Sequence, residues 1–412
     1  MQIDTSATSA SLEGPATSVR EWLSVIAVAV SAFAFVTAEF LPVGLLPQIA
    51  RDLRVSTGVA GLMVTVPGIV AAIFAPALLV GAGRTNRRYV FLLLTTLLLV
   101  ANLVSAVSTS LPVMLIGRAL LGAALGGFWT LAIAAAPRLV QESDAAKATA
   151  IILTGVTCAT VVGVPLGTFI ASFASWRMSF AATASLVAMA LLAQAFLVPS
   201  LPSASALRIA DFRVLLRRPH TRLSTLMVAL VFGAHFSTYT YVAPLLGRDF
   251  PISAITLLLL GFGLIGFLSN AFMATKVSGH LTKSVAAMVL LLLGAISSMV
   301  VFEHSRIGET AGMLLWGIAF GALPLCFSVW IQRGTADLPE AGSAMFVSII
   351  QIAIAVGSAV GGSIVDRAGV YADFKLGLGL AMLGLVTLRR LAIMERPAET
   401  SSFAQTCDAS TD

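Results

Sequence analysis

The sequence predicts an all-α membrane protein of twelve transmembrane helices in two pseudo-symmetric six-helix halves. Three observations carry this. Of 412 residues, 58% are hydrophobic and 11% charged, against about 25% charged in soluble domains. The apolar residues form long continuous runs rather than alternating ones, which selects helices over a closed barrel. The longest internal polar stretch, residues 200–220, divides those runs six and six.

The runs lie at 22–46, 57–80, 89–108, 111–137, 147–171, 176–199, 221–246, 254–276, 281–302, 310–333, 342–365 and 371–394. Each is near the ~20 residues needed to cross a bilayer. The implied organisation is a polar tail at 1–21, a first half at 22–199, a linker at 200–220, a second half at 221–394 and a tail at 395–412. A weak internal repeat supports the division: Gly163-Val-Pro165-Leu-Gly167 in the fifth span answers Gly357-Ser-Ala359-Val-Gly361 in the eleventh.

With the N-terminus inside, 17 Lys and Arg residues fall in cytoplasmic segments, among them Arg84, Arg87 and Arg88, and seven fall outside. That bias orients the chain with both termini cytoplasmic. The net charge of +6 thus reflects topology and not nucleic-acid binding. Cys158, Cys326 and Cys407 are too scattered for a disulfide framework or metal cluster. No phosphate-binding glycine loop, zinc signature or nucleophile set is present, so the chain reads as neither an enzyme nor a cofactor protein. Energy must come from an ion gradient, or transport is passive. The expected partners are the bilayer, a small-molecule substrate and protons, with the protein a monomer.

Glu39 and Arg118 lie deep inside apolar runs, whereas nearly every other charge falls in a tail or short loop; a charge at such depth costs at least ~2.5–3.5 kcal/mol. Glu39 is seven residues before the outer end of the first run, and Arg118 seven after the outer start of the fourth. At 1.5 Å per residue both lie ~10 Å from the outer boundary, so contact is possible. One reading is a permanent salt bridge. The other is a carboxylate that cycles between protonated and ionised forms, coupling protons to substrate.

His235 sits mid-span beside Ser237, Thr238, Tyr239 and Tyr241. Hydroxyls and aromatic faces together suit a polar planar ligand. Gln351, Asn270 and Trp129 are further substrate-binding candidates, and Gln332 is a weaker one. Trp316 and Trp330, toward the ends of the tenth run, are expected to anchor at the membrane interface. Small residues recur every fourth position, as in Gly155, Ala159, Gly163 and Gly167, in Gly122 and Gly126, and in Ala353, Gly357 and Gly361. Such ridges allow close helix approach, either as static packing or as a sliding interface between the halves. Pro165 favours the second, since it frees a backbone carbonyl.

The segment Leu115-Ile-Gly-Arg118-Ala-Leu-Leu-Gly122-Ala-Ala-Leu-Gly126 resembles the Arg-containing motif of the major facilitator superfamily. Gly155 through Gly163-Val-Pro165-Leu-Gly167 resembles the antiporter motif of its drug:proton exporters. Ala38-Glu39-Phe-Leu-Pro42-Val-Gly-Leu-Leu-Pro47 is similar to a subgroup that exports sugars and nucleosides. The resemblance implies proton-driven export, across the bacterial inner membrane, of purine ribonucleosides such as inosine and guanosine and of purine analogues. Sugars or lipophilic drugs are the alternative cargo, and a non-transporting sensor a distant one. One departure stands out. Gly81-Ala-Gly-Arg84-Thr-Asn-Arg87-Arg88 keeps the superfamily's basic cluster but lacks its acidic latch residue.

Overall fold

The computed structural model describes residues 17–81, 85–202, 209–277 and 279–408. Arg84 of the basic loop lies outside these residues. Among the described residues, twelve helices are long and apolar enough to cross a membrane. They are Val19–Asp52, Thr57–Ala75, Arg87–Val107, Leu111–Trp129, Glu142–Phe173, Trp176–Leu197, Pro219–Thr240, Ile252–Ala274, Leu281–Val301, Arg306–Gly334, Ala341–Ala368 and Val370–Met394. They are called here the first to twelfth spans. An even number of crossings puts both ends of the bundle on one face, the terminal face; the other is the opposite face.

Local chemistry sets many of the boundaries. Ser18 opens the first span with a reciprocal capping box to Glu21, and Ser56, Asn86, Ser175 and Ser305 cap other helix starts with side-chain oxygens. These groups satisfy N–H donors that the helix itself cannot. Gly369 joins the last two spans at φ 85°, a backbone region open to glycine and strained for other residues.

Within each half the glycine ridges do one job. A Cβ on Gly155 would fall 2.2 Å from the Ala29 carbonyl oxygen, on Gly163 2.5 Å from Thr37 Oγ1, and on Gly167 2.1 Å from Leu41 Cδ1. The fifth span therefore lies directly on the first. The eleventh lies in the same way on the seventh, with Gly357 against the Gly233 carbonyl and Gly361 against that of Ser237. Gly122 and Gly126 press the fourth span on the second, at Pro67 and Ala71. These ridges thus bind helices of one half together, and the expectation of a sliding seam between halves is corrected for them. Where the neighbour is backbone, as at Gly155, Gly122, Gly126 and Gly357, only a hydrogen on Cα permits that approach.

Pro165 acts one turn earlier than it stands. Ala159–Gly163 form a π turn, where the proline's missing N–H interrupts the helical bonding. Gly263 of the eighth span packs onto this turn, its Cβ position 2.6 Å from Val161 Cα.

The halves meet along the second and eleventh spans and along the fifth and eighth. Among the described residues, their mutual hydrogen bonds cluster toward the opposite face. Ser56 Oγ and Gly58 N donate to Asp366 at 2.5 and 2.8 Å, Ser358 Oγ donates to the Gly61 carbonyl at 3.1 Å, and Thr256 Oγ1 donates to Thr168 Oγ1 at 2.9 Å. Backbone meets backbone there, for a Cβ on Gly58 would fall 2.0 Å from the Gly362 carbonyl. Tyr241, fully buried, donates to the Ser358 carbonyl at 2.8 Å in the same place.

Candidate functional site

Arg118 is almost wholly buried, and each of its three guanidinium nitrogens donates to main chain. Nε donates to the Met63 carbonyl at 2.6 Å, and the two terminal nitrogens to those of Ala38 at 2.6 Å and Glu39 at 2.7 Å. Two of these acceptors have a common origin. In a helix, Ala38 and Met63 would receive the N–H of the residues four positions on. Those are Pro42 and Pro67, which have none. Arg118 therefore caps two carbonyls orphaned by proline, which a membrane helix must satisfy from a neighbour. The contact between Glu39 and Arg118 that matching depth made possible occurs, through the Glu39 carbonyl oxygen and not its carboxylate.

The Glu39 carboxylate turns to the other half. Gln351 Nε2, on the eleventh span, donates to Glu39 Oε1 at 3.2 Å. Both side chains are 5% exposed. Gln351 Oε1 has no hydrogen-bond partner, so the amide offers a spare buried acceptor. Phe40, next to Glu39, stacks on Phe236 of the seventh span at 5.5 Å.

Phe236 belongs to an aromatic group built round His235. The rings of Phe320, His235, Tyr239 and Phe262 form a stacked column, with successive centroids 3.3, 4.8 and 5.0 Å apart. Trp316 stands edge-on to the imidazole and donates Nε1–H to His235 Nδ1 at 3.0 Å. That bond fixes the neutral tautomer with its proton on Nε2. Four helices contribute: the spacing 232, 235, 236, 239 places one face of the seventh span toward Phe40 of the first, Phe262 of the eighth and Trp316 and Phe320 of the tenth.

The other candidates are placed differently. Thr238 is buried, but its hydroxyl donates to the Ala234 carbonyl of its own helix at 2.8 Å and its methyl meets Gly377. It is a packing residue. Trp129 packs edge-on against Phe128 in the first-half core, and Asn270 is half-buried near the terminal-face end of the eighth span. Neither joins the His235 group. Gln332 is exposed. Trp316 and Trp330 are buried, the latter donating to Ser224 Oγ at 2.9 Å, so the interface-anchor expectation is corrected. Both find polar partners inside the second half. Arg88 donates to the Ala195 carbonyl at 2.6 Å and Arg87 N to that of Leu201 at 2.9 Å, so the basic loop holds the end of the sixth span and the start of the linker.

Two buried carboxylates escaped the sequence reading. Glu309 and Asp373 have no exposed surface. Glu309 lies near Asp249, His304 and Arg248. Their signal was present, an acid within three residues of an apolar run, but the expected boundaries at 310 and 371 set them at the edge of the spans.

A twelve-span bundle closed on one face, with a carboxylate–amide contact between its halves and an aromatic column in the second half beside it, defines a multi-pass membrane transporter and not an enzyme. The chain belongs to the Major Facilitator Superfamily, whose sequence profile matches residues 28–347. The purine ribonucleoside efflux pump NepI of Salmonella paratyphi C is 33% identical over 364 residues, covering 88% of this chain and 92% of the relative. That of Salmonella enteritidis PT4 is 32% identical over 375 residues, covering 90% and 94%. Among solved structures, nucleoside transporter NupG superposes with a TM-score of 0.70 at 16% identity, covering 90% of this chain and 98% of its own. The human organic anion transporter MFSD10 gives 0.66 at 20%, covering 89% and 99%. At these identities the two structures speak to the fold alone.

Proposed function

We propose that the protein exports purine ribonucleosides and purine analogues in exchange for protons, by alternating access across the bacterial inner membrane. The observation that carries this reading is the Gln351–Glu39 hydrogen bond beside the His235 column. A purine is planar and edged with donors and acceptors. The column supplies aromatic faces, the spare Gln351 oxygen an acceptor, and Glu39 a carboxylate that a proton and a substrate N–H or O–H compete for. The names of the relatives point the same way.

The terminal face is the cytoplasmic one in this reading, which makes the closed opposite face the outer one. Substrate enters from the cytoplasm and meets Glu39 ionised. A proton taken from outside returns the empty carrier. The halves at 22–199 and 221–394 rock about the linker at 200–220, with the Gly155–Gly167 ridge keeping the first and fifth spans together as one body. Arg118 positions Glu39 through its main chain. Thr238 being sealed inside its helix leaves few hydroxyls near the column, which favours flat aromatic solutes over sugars.

The test is accumulation of labelled inosine by cells with and without the protein, with a protonophore control. Expression should lower accumulation several-fold and the protonophore should abolish the difference. Glu39→Gln should lose gradient-driven efflux while keeping its expression level. Undiminished efflux by that variant, still sensitive to the protonophore, would overturn the role given to Glu39.

A further inference from the structure

Asp373 is fully buried near the opposite-face end of the twelfth span, and neither carboxyl oxygen has a hydrogen-bond partner. Its Oδ1 lies 2.8 Å from the point a Gly361 Cβ would occupy. The Ser237 carbonyl oxygen lies 3.0 Å from the same point. That carbonyl lacks the helical donor four residues on. The seventh span ends at Thr240, and the Tyr241 N–H turns to Thr238 and Tyr239 instead of reaching four residues back. Two oxygens, both acceptors, therefore border one glycine notch.

Among the described residues no cation is bonded to Asp373: Arg248 and His304 lie against the Tyr371 ring, and Arg367 of the eleventh span is exposed. The seventh span brings Tyr241. The eleventh brings Asp366, already bonded to Ser56 and Gly58. The ninth span and Val242–Leu246 bring nothing titratable at this end, and the tenth, touching at Trp316 and Phe374, brings Glu309. On its own helix Tyr371 is half-buried and Lys375 exposed. An ionised carboxylate in such a place is costly, whereas the neutral acid has an O–H to offer a carbonyl.

Gly361 ties this site to the closure. Its neighbour Gly362 presses on Gly58, and Ser358 and Asp366 hold the first half. We propose that Asp373 is a second proton-binding site, distinct from Glu39, whose neutral acid lets the eleventh span seat against the seventh and close the opposite face. The proton is taken from water on that face while it is open and held on the carboxyl oxygen when it shuts. On reopening it returns to the same side, so it gates the cycle without being transported.

The experiment uses the full chain in lipid vesicles, with spin labels at Thr109→Cys and Glu303→Cys on exposed loops of the opposite face and the native cysteines replaced. The inter-label distance should be short at acidic pH, with a long-distance population growing as pH rises. Asp373→Asn, a neutral side chain of the same size, should hold the short distance at every pH; Glu39→Gln should leave the long-distance population's response to pH in place. Infrared difference spectra of the unlabelled protein give a second readout. Asp373→Asn should lose one protonated-carboxyl band that Glu39→Gln retains. A wild type without the pH response, an Asp373→Asn variant that follows it unchanged, or a spectrum with no lost band would each overturn the proposal. None of these readouts depends on which solute is exported or on proton-driven efflux.

Discussion

Arg118 offers the sharpest test of how the first half is built. Arg118→Met would leave the Ala38 and Met63 carbonyls with neither a helical nor a side-chain donor, at about 1–3 kcal/mol each. It would also remove a charge whose burial costs at least ~2.5–3.5 kcal/mol. These effects oppose, so the single variant reports a small difference between large quantities. The coupling to proline is free of that cancellation. Pro42→Ala returns an N–H to the Ala38 carbonyl, and Pro67→Ala does so for Met63. In the Arg118→Met background each restores a missing bond; in the wild type the same carbonyl is already occupied. A double-mutant cycle on unfolding free energy, from reversible denaturation in mixed micelles, should give about 1–3 kcal/mol of coupling for each proline. Coupling below about 0.5 kcal/mol at both prolines, the additivity expected of independent sites, would refute the clamp.

Three further outcomes are expected. Trp316→Phe leaves His235 Nδ1 buried without a donor and should cost about 1–3 kcal/mol of stability, a loss largely absent when His235 is already Phe. Gly58→Val should leave the protein folded but unable to close the opposite face, seen as lost transport and a lengthened Thr109–Glu303 label distance; normal transport would exclude the backbone closure. The Arg218 guanidinium, bonded at 2.8 and 2.6 Å, holds the Asp337 carboxyl down at about 2. A carboxyl lowered on folding contributes stability above its ordinary value of about 4 and loses it as pH falls toward 2. Wild type should therefore lose more stability than Asp337→Asn between about pH 4 and 2, measured by unfolding in detergent, and equal slopes would exclude the contribution.

The fold was legible because lipid leaves a chain few options: long apolar runs must be helices, and twelve of them make two halves of six. Glu39 was legible for the same reason, as a charge out of place. What the pattern could not supply was helix rotation. Thr238 and Tyr239 are adjacent in sequence, yet one faces Gly377 and the other Phe262. Trp316 looks like an interface anchor by position, yet it is the hydrogen-bond donor to His235. The role of Arg118 was half-written in the sequence, in Pro42 and Pro67, but only proximity joins them to it. Glu309 was hidden by the cap at Ser305, which begins its helix earlier than hydropathy alone suggests, and Asp373 by its place two residues into the last run, where a loop charge is expected.

The closure at Gly58, Gly61 and Gly362 has an energetic consequence. Gly58 and Gly362 meet main chain to main chain, with the Tyr241 ring beside Gly61 and Gly362, so few flexible side chains need to be ordered or released when it parts, and little rotamer entropy changes hands. Hydrogen bonds such as Ser56 to Asp366 sit at the rim, where water replaces them readily. The two facings can then differ by little in free energy. A solute or a proton can tilt such a balance only by its own difference in affinity, a factor of ten for each ~1.4 kcal/mol. A side-chain lock worth many times that would be stable and immovable; glycine surfaces keep the carrier within reach of its cargo.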